Sequence, residues 1–276
     1  MSSKPPRPGK FAEEDQAIAN LREQLKQRFP MPEPTPRRKR SGAKAAGLLS
    51  LALLAGVIWY DPAYRSEHYQ TPIGQRQSVQ LADGSQLLLD GASDLEVSWH
   101  LRTRQTRLAQ GQVLFEVAPM RYRPFLVDAG RASVRVVGTR FTVDRQQDDV
   151  RVSVAEGRVA VRAGAAATLL DPGQQVRVQD GRLGALTTID VAAVDAWKDG
   201  QLLFARTPLR EVLGVIQRYH DKPLRLADPA LGSLPVSGVF DSAQVERLLS
   251  LLPGILPVTV SRAADGSVLV APRGKK

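Results

Sequence analysis

Hydrophobic and polar positions alternate along the middle of the chain, from about residue 75 onward. Short runs such as Val113–Val117 and Val150–Val154 recur roughly every ten residues, and Gly-containing turns such as Asp83-Gly84 separate them. A period of two places one face of a strand in the core and the other in water. Many short antiparallel strands at this spacing predict an all-β domain over 75–180, built as a sandwich, a barrel or a solenoid-like stack.

Helical spacing replaces the alternation after about residue 190. Thr207-Pro208 predicts an N-cap followed by a proline in the first turn of a helix. Asp241–Gln244 has the pattern of a capping box and predicts the start of a second helix. Short apolar runs around both helices predict strands, so residues 190–272 are expected to form a small α+β module. The inward stripe of the first helix consists of Leu209, Val212, Leu213, Ile216 and Tyr219.

A third pattern is an uncharged, mostly apolar run over 45–60, which Asp61-Pro62 ends. The run can be extended by Ala43 and by Lys44, because the Lys44 amine can reach the membrane surface. The extended run predicts a transmembrane helix over 43–60. The basic cluster at 37–40 predicts a single-pass membrane protein with its N-terminus in the cytoplasm and residues 61–276 on the other side of the membrane. A cleaved signal peptide and a buried helix of a soluble core are the alternatives.

The segments on either side of this run are short. Residues 1–42 are expected to be cytoplasmic, with one amphipathic helix over 11–29 and a Pro-rich, basic linker. Residues 61–74 are expected to be a second linker. A short amphipathic helix with no intramolecular partner must bury its stripe on another protein or on a membrane surface. The stripe, which is the predicted partner-binding site of this segment, consists of Ile18, Leu21, Leu25 and Phe29.

Composition narrows the classes of function. The formal net charge of +10 would favour nucleic acid as a partner, but residues 1–44 hold eleven Lys or Arg against five Asp or Glu. That basic excess lies beside the apolar run, where membrane topology accounts for it, so no direct contact with nucleic acid is expected. The chain has no Cys and only three His, which lie far apart. Disulfides, thiolate metal sites and multi-histidine metal sites are therefore not expected, and no cofactor is predicted.

Several motifs in the β domain and the α+β module resemble those of one family. Their order along the chain, after the apolar run, is the order found in the FecR family, and the resemblance covers about residues 71–272. The segments that resemble the family are Leu81–Asp90, Gly111–Val117, Arg123–Val127, Val137–Val143, Val154–Val161, Trp197–Phe204, Arg218-Tyr219 and Leu234–Phe240.

The resemblance implies a function and its partners. FecR-family proteins are single-pass inner-membrane regulators, or anti-sigma factors, of extracytoplasmic-function sigma factors. The resemblance implies that the C-terminal module is similar to the short N-terminal domains of secretins and TonB-dependent transducers. It would receive a periplasmic signal from a TonB-dependent receptor, often for iron uptake. Stepwise proteolysis that ends with a site-2 protease would then release the cytoplasmic segment, which is atypically short for the family. The alternative is an N-terminally anchored envelope binding or structural protein without sigma-factor control.

The motifs of common enzymes are absent from the sequence, so no enzymatic activity is predicted and an anchored hydrolase is a poor alternative. Asp83 and Asp90 are interpreted as turn residues. Gly138-Thr139 is a candidate self-cleavage bond, because some family members resemble self-cleaving proteins at this dipeptide; a glycine bulge within a strand is the other interpretation. The predicted periplasmic binding strand, which is either a core strand or an edge open to strand addition, consists of Val236, Ser237, Gly238, Val239 and Phe240.

Overall fold

The computed structural model of the protein describes residues 10–30 and 41–274. The chain divides into two compact units, the first ending at Leu54 and the second beginning at Ala55. Two helices precede the strands, α1 (Lys10–Arg28) and α2 (Ser41–Tyr60). The four members of the predicted stripe, Ile18, Leu21, Leu25 and Phe29, are all solvent-exposed.

The prediction of a transmembrane helix over 43–60 is wrong. Residues 41–60 are helical, but within residues 10–30 and 41–274 the structure has no helix that is both long enough and apolar enough to cross a membrane. The physical reason is length. The uncharged part of α2, residues 45–60, spans about 24 Å at 1.5 Å per residue, whereas the hydrocarbon core of a bilayer is roughly 30 Å thick.

Most of the second unit is β-structure. Its first ten strands are β1 (Arg65–Gln70), β2 (Gln77–Gln80), β3 (Gln86–Leu89), β4 (Asp94–Trp99), β5 (Arg104–Glu116), β6 (Phe125–Asp128), β7 (Ser133–Val136), β8 (Arg140–Gln146), β9 (Asp149–Glu156) and β10 (Val159–Ala163). Four more follow, β11 (Ala166–Leu170), β12 (Gln174–Gln179), β13 (Arg182–Leu183) and β14 (Thr187–Thr188). These strands are called the β region below.

The strands of the β region form two sheets that share the long strand β5. The first half of β5 pairs with β4 and, in parallel, with β6, and this sheet runs β1-β4-β5-β6-β7-β10-β11. The second half pairs with β3 and β8, and this sheet runs β2-β3-β5-β8-β9-β12, with β13 and β14 both paired to β12. Gly111, at φ 94°, lies where β5 passes from one sheet to the other, and a Cβ there would lie 2.5 Å from Ser93 Cα.

One hydrophobic core contains buried residues from both sheets. It is aliphatic apart from a few aromatic rings, as the low aromatic content requires. Phe115 stacks on Phe141 with ring centroids 5.0 Å apart, and Phe125 packs edge-on against Phe115 at 5.9 Å. The alternation that predicts strands in the sequence is the alternation between this core and solvent, for example in β4 and β10.

The C-terminal module, residues 201–272, has its own core. A short helix, α3 (Val191–Asp195), and a turn of 3₁₀ helix precede it. Its helices and strands are β15 (Gln201–Pro208), α4 (Leu209–Ile216), β16 (Leu224–Leu226), β17 (Pro235–Asp241), α5 (Val245–Ile255), β18 (Val258–Arg262) and β19 (Val268–Pro272). β15 and β17 form a two-stranded antiparallel sheet, and β16, β19 and β18 form a second small sheet. The apolar stripes of α4 and α5 are buried in the core between them.

Two local features differ from the sequence-based expectations. Within 61–74, which was predicted to be a linker, Arg65–Gln70 forms β1 on the edge of a sheet; its sequence RSEHYQ lacks the alternation of a half-buried strand because it is mostly exposed. At the start of α4, Pro208 occupies the N-cap position in place of Thr207, whose hydroxyl instead accepts a hydrogen bond from Ala205 N–H.

Candidate functional site

A cleft lies between the β region and the C-terminal module. Its cavity has a volume of about 570 Å³, which lies within the range of small-ligand and peptide sites. Its floor is made of side chains from β8, β9 and β12, and one wall is the whole length of β15. β14 and the residues beside it also line the cavity. The floor residues are Thr142, Asp144, Arg151, Ser153, Gln175 and Arg177.

Glu211 joins the two sides of the cleft. It lies on the first turn of α4 and is buried, and its two carboxylate oxygens accept hydrogen bonds from Arg151 of β9 and Arg177 of β12. Arg177 also donates to Asp149 at 2.5 Å. Burial of the Arg177 guanidinium lowers its pKa, but the two carboxylates outweigh burial and raise that pKa overall. The floor of the cleft is thus lined by charges that are already paired.

A second set of ion pairs fixes the C-terminal end of α4 to the β region. Arg218 is buried and donates to Asp144 of β8 and, at 2.5 Å, to Gln112 of β5, and its guanidinium lies 3.6 Å from Asp90. The backbone also contributes, because Gly74 N–H donates to Arg218 C=O at 2.8 Å. A Cβ on Gly91 would lie 2.8 Å from the same carbonyl oxygen, so only glycine allows this close approach.

Asp90 is the centre of this contact. It is 1% exposed and accepts hydrogen bonds from the Tyr219 hydroxyl at 2.7 Å and from Arg76 at 3.2 Å. Arg76 in turn donates to Ser242 of the C-terminal module at 2.8 Å. Burial, and then the charge of Asp90, raise the pKa of Tyr219 above its usual value, so this hydroxyl remains a donor through the physiological range. The contact between the β region and the C-terminal module is therefore polar, buried and hydrogen-bonded.

The predicted self-cleavage dipeptide, Gly138-Thr139, lies in the connection between β7 and β8. Thr139 is buried, and its hydroxyl has no hydrogen-bond partner among the described residues. The Thr139 carbonyl accepts from Val117 N–H at 2.9 Å, and a Cβ on Gly138 would lie 2.6 Å from Pro119 Cα. Gly138 thus permits a close backbone approach, but it lies outside both strands, and self-cleavage stays a prediction.

The predicted binding strand forms β17 and pairs with β15. Val236 is buried in the core of the C-terminal module, whereas Ser237 and Val239 are exposed, and Gly238 and Phe240 are partly buried. The other predicted binding residues, Ile18, Leu21, Leu25 and Phe29, lie in or beside α1 in the first unit. Across the described ranges, no three His, Asp or Glu side chains are grouped as metal ligands.

Comparisons with known proteins agree with this architecture. Residues 67–160 match the family model described as FecR protein. The predicted resemblance to the FecR family is confirmed. The FecR match extends from β1 into β10, so the FecR segment supplies Asp90, Asp144 and Arg151 to the cleft and to the contact with the C-terminal module. No curated protein matches the chain in sequence.

Two crystal structures have a fold similar to that of this chain. Both are of a putative anti-sigma factor from Parabacteroides distasonis, and both are 22% identical to this chain. The first has a TM-score of 0.69 and covers 76% of this chain and 100% of its own; the second has a TM-score of 0.68 and covers 74% and 98%.

Most of the residues that join the C-terminal module to the β region cannot be identified from the sequence pattern. The sequence around Asp90 indicates a turn residue, whereas the structure shows a buried carboxylate that accepts a hydrogen bond from the Tyr219 hydroxyl. Asp83, interpreted in the same way, is also paired with the fully buried Arg104 at 2.5 Å. A single charged residue beside a turn has the same sequence signature whether it is solvated or buried. The only available signal was Arg218-Tyr219, which belongs to the segment that resembles the family.

Proposed function

We propose that the chain regulates a sigma factor and acts by binding rather than by catalysis. The observation on which the proposal rests is the match of residues 67–160 to the FecR family. The fold shared with a putative anti-sigma factor supports it. The partner in this proposal is an extracytoplasmic-function sigma factor, and the sigma-binding segment is α1, whose apolar stripe is exposed.

In the same proposal the C-terminal module receives the inducing signal from the signalling domain of a TonB-dependent transducer, in an iron-uptake system. What supports this part is the buried polar contact between α4 and the β region. Pairs such as Arg218–Asp144 hold the C-terminal module against the FecR segment, so a partner bound to the module can alter the contact.

The test is direct binding between the purified full chain and each extracytoplasmic-function sigma factor of its host. At least one of them is expected to bind. Leu21→Glu, which places a charge in the exposed stripe of α1, should weaken that binding about tenfold or more. Gln24→Glu adds the same charge to the same helix outside the stripe and is the matched control, expected to bind like the native chain. Absence of binding to every such sigma factor, or equal binding by both variants, would reject the proposal.

A further inference from the structure

β15 pairs with β17 along one edge only, and the backbone groups on its other edge have no strand partner among the described residues. Ser242 N–H donates to Gly200 C=O, which makes the next opposed pair, Gln201 and Asp241, a non-hydrogen-bonded pair of the antiparallel ladder. Because the two pair types alternate, Leu202 and Phe204 exchange hydrogen bonds with β17. The backbone N–H and C=O of Leu203 therefore point away from β17, toward the outer edge of the strand.

This outer edge faces the cleft. All eight residues of β15 line the cavity, whether their side chains point toward the core or toward solvent, which is the pattern of a strand that presents its backbone edge. β14 also lines the cavity, and among the described strands it is paired only with β12. The cleft is thus an elongated space beside an unpaired strand edge.

The chemistry of this edge selects an extended peptide. A row of unpaired backbone donors and acceptors is matched by another backbone at strand spacing, roughly 4.8 Å away. The side chain of Leu203 is 47% exposed beside Val239, which is 62% exposed, so an apolar surface continues next to the edge. We infer that the cleft binds an extended peptide segment, which adds to β15 as a third strand of the β15–β17 sheet.

The charges of the cleft define the peptide further. Arg151 and Arg177 are paired with the two carboxylates of Glu211 and Asp149, and Asp144 is paired with Arg218. The remaining floor residues include the neutral Thr142 and Ser153. A charged side chain of the peptide that contacted these floor residues would lose hydration without gaining an ion-pair partner. The bound segment therefore has uncharged residues on the side that faces the floor.

The outer edge of β17 is less suited to strand addition. Gly238, at φ 151°, departs from regular strand geometry, and a Cβ there would lie 2.9 Å from the Phe240 ring. Irregularities of this kind protect sheet edges from further pairing. β15 is regular from Gln201 to Phe204, and its register shifts only beyond that point. This site goes beyond the proposed function, because it concerns how a segment binds whether or not the chain controls a sigma factor.

The test uses two substitutions at one position. Leu203→Pro removes the outward N–H, and β15 tolerates it because that N–H takes no part in pairing with β17. Leu203→Ala removes the same side chain but keeps the N–H. Phage-displayed random heptapeptides are selected on the full native chain, with counter-selection on Leu203→Pro, and the enriched peptides are synthesised. Their Kd is expected to stay within about threefold for Leu203→Ala and to rise at least about tenfold for Leu203→Pro.

A second measurement needs no variant. Hydrogen exchange of the native chain is expected to show Leu202 and Phe204 amides protected before peptide is added, and the Leu203 amide protected only afterwards. The inference is overturned if no peptide is enriched over the counter-selection, or if enriched peptides bind the proline and alanine variants equally. It is also overturned if bound peptide leaves the exchange of the Leu203 amide unchanged.

Discussion

Removal of Arg218 should destabilise the second unit strongly. Arg218 is 5% exposed, and its two carboxylate partners, Asp144 and Asp90, are 6% and 1% exposed. Arg218→Ala leaves both carboxylates buried, with Asp144 deprived of its guanidinium. Loss of one partner of a buried ion pair costs about 3–5 kcal/mol in free energy of unfolding. For a unit of this size that corresponds to a fall in Tm of about 6–20 °C, measurable by scanning calorimetry or thermal circular dichroism.

The control is another Arg→Ala substitution in an exposed ion pair. Arg262 and Glu246 have side chains that are 67% and 54% exposed, so Arg262→Ala should change the free energy of unfolding by about 1 kcal/mol or less. The double variant Arg218→Met with Asp144→Asn removes both charges and should recover part of the loss, because no unpaired charge remains at that pair. Equal, small shifts for Arg218→Ala and Arg262→Ala would refute the role given to this contact.

Three further predictions follow from particular residues. Gly91→Ala should lower the free energy of unfolding by more than about 1 kcal/mol, because the added Cβ would meet backbone atoms. Gly254→Ala in α5 has open space around it and should be neutral or stabilising. Urea unfolding of the two variants measures the difference. Burial and a neighbouring carboxylate raise the pKa of Tyr69 to about 12, so its contribution to stability is complete below pH 10 and is lost as pH rises toward 12. Tyr69→Phe should flatten that part of the stability profile, and an unchanged profile would contradict the assignment. Self-cleavage before Thr139 would give two fragments of 138 residues each by mass spectrometry, absent from Thr139→Ala; an intact native chain would exclude it.

Local patterns in the sequence determined the secondary structure of the second unit to a large extent. Strict alternation in segments such as Val150–Val154 is a direct consequence of one buried face, and it forms β9. The helical stripe that begins at Leu209 is buried as α4 for the same reason. The motifs that resemble the FecR family are also local, and the family match over 67–160 confirms those that lie within that range. Hydropathy alone misjudged the run over 45–60, because an apolar composition does not by itself give a helix the length of a membrane span.

Tertiary structure decided which polar residues matter and which strand edges stay open. Asp90 and Arg218 are 128 positions apart in sequence, and only the packing of α4 against the β region brings them within 3.6 Å. Because the Asp90 carboxylate is removed from water, it requires hydrogen-bond partners that a solvated carboxylate in a turn would not need. The unpaired edge of β15 is likewise a result of tertiary packing. A strand's sequence encodes which face is apolar, but the pairing of β15 on one side only, beside a cleft, depends on where distant segments of the chain come to lie.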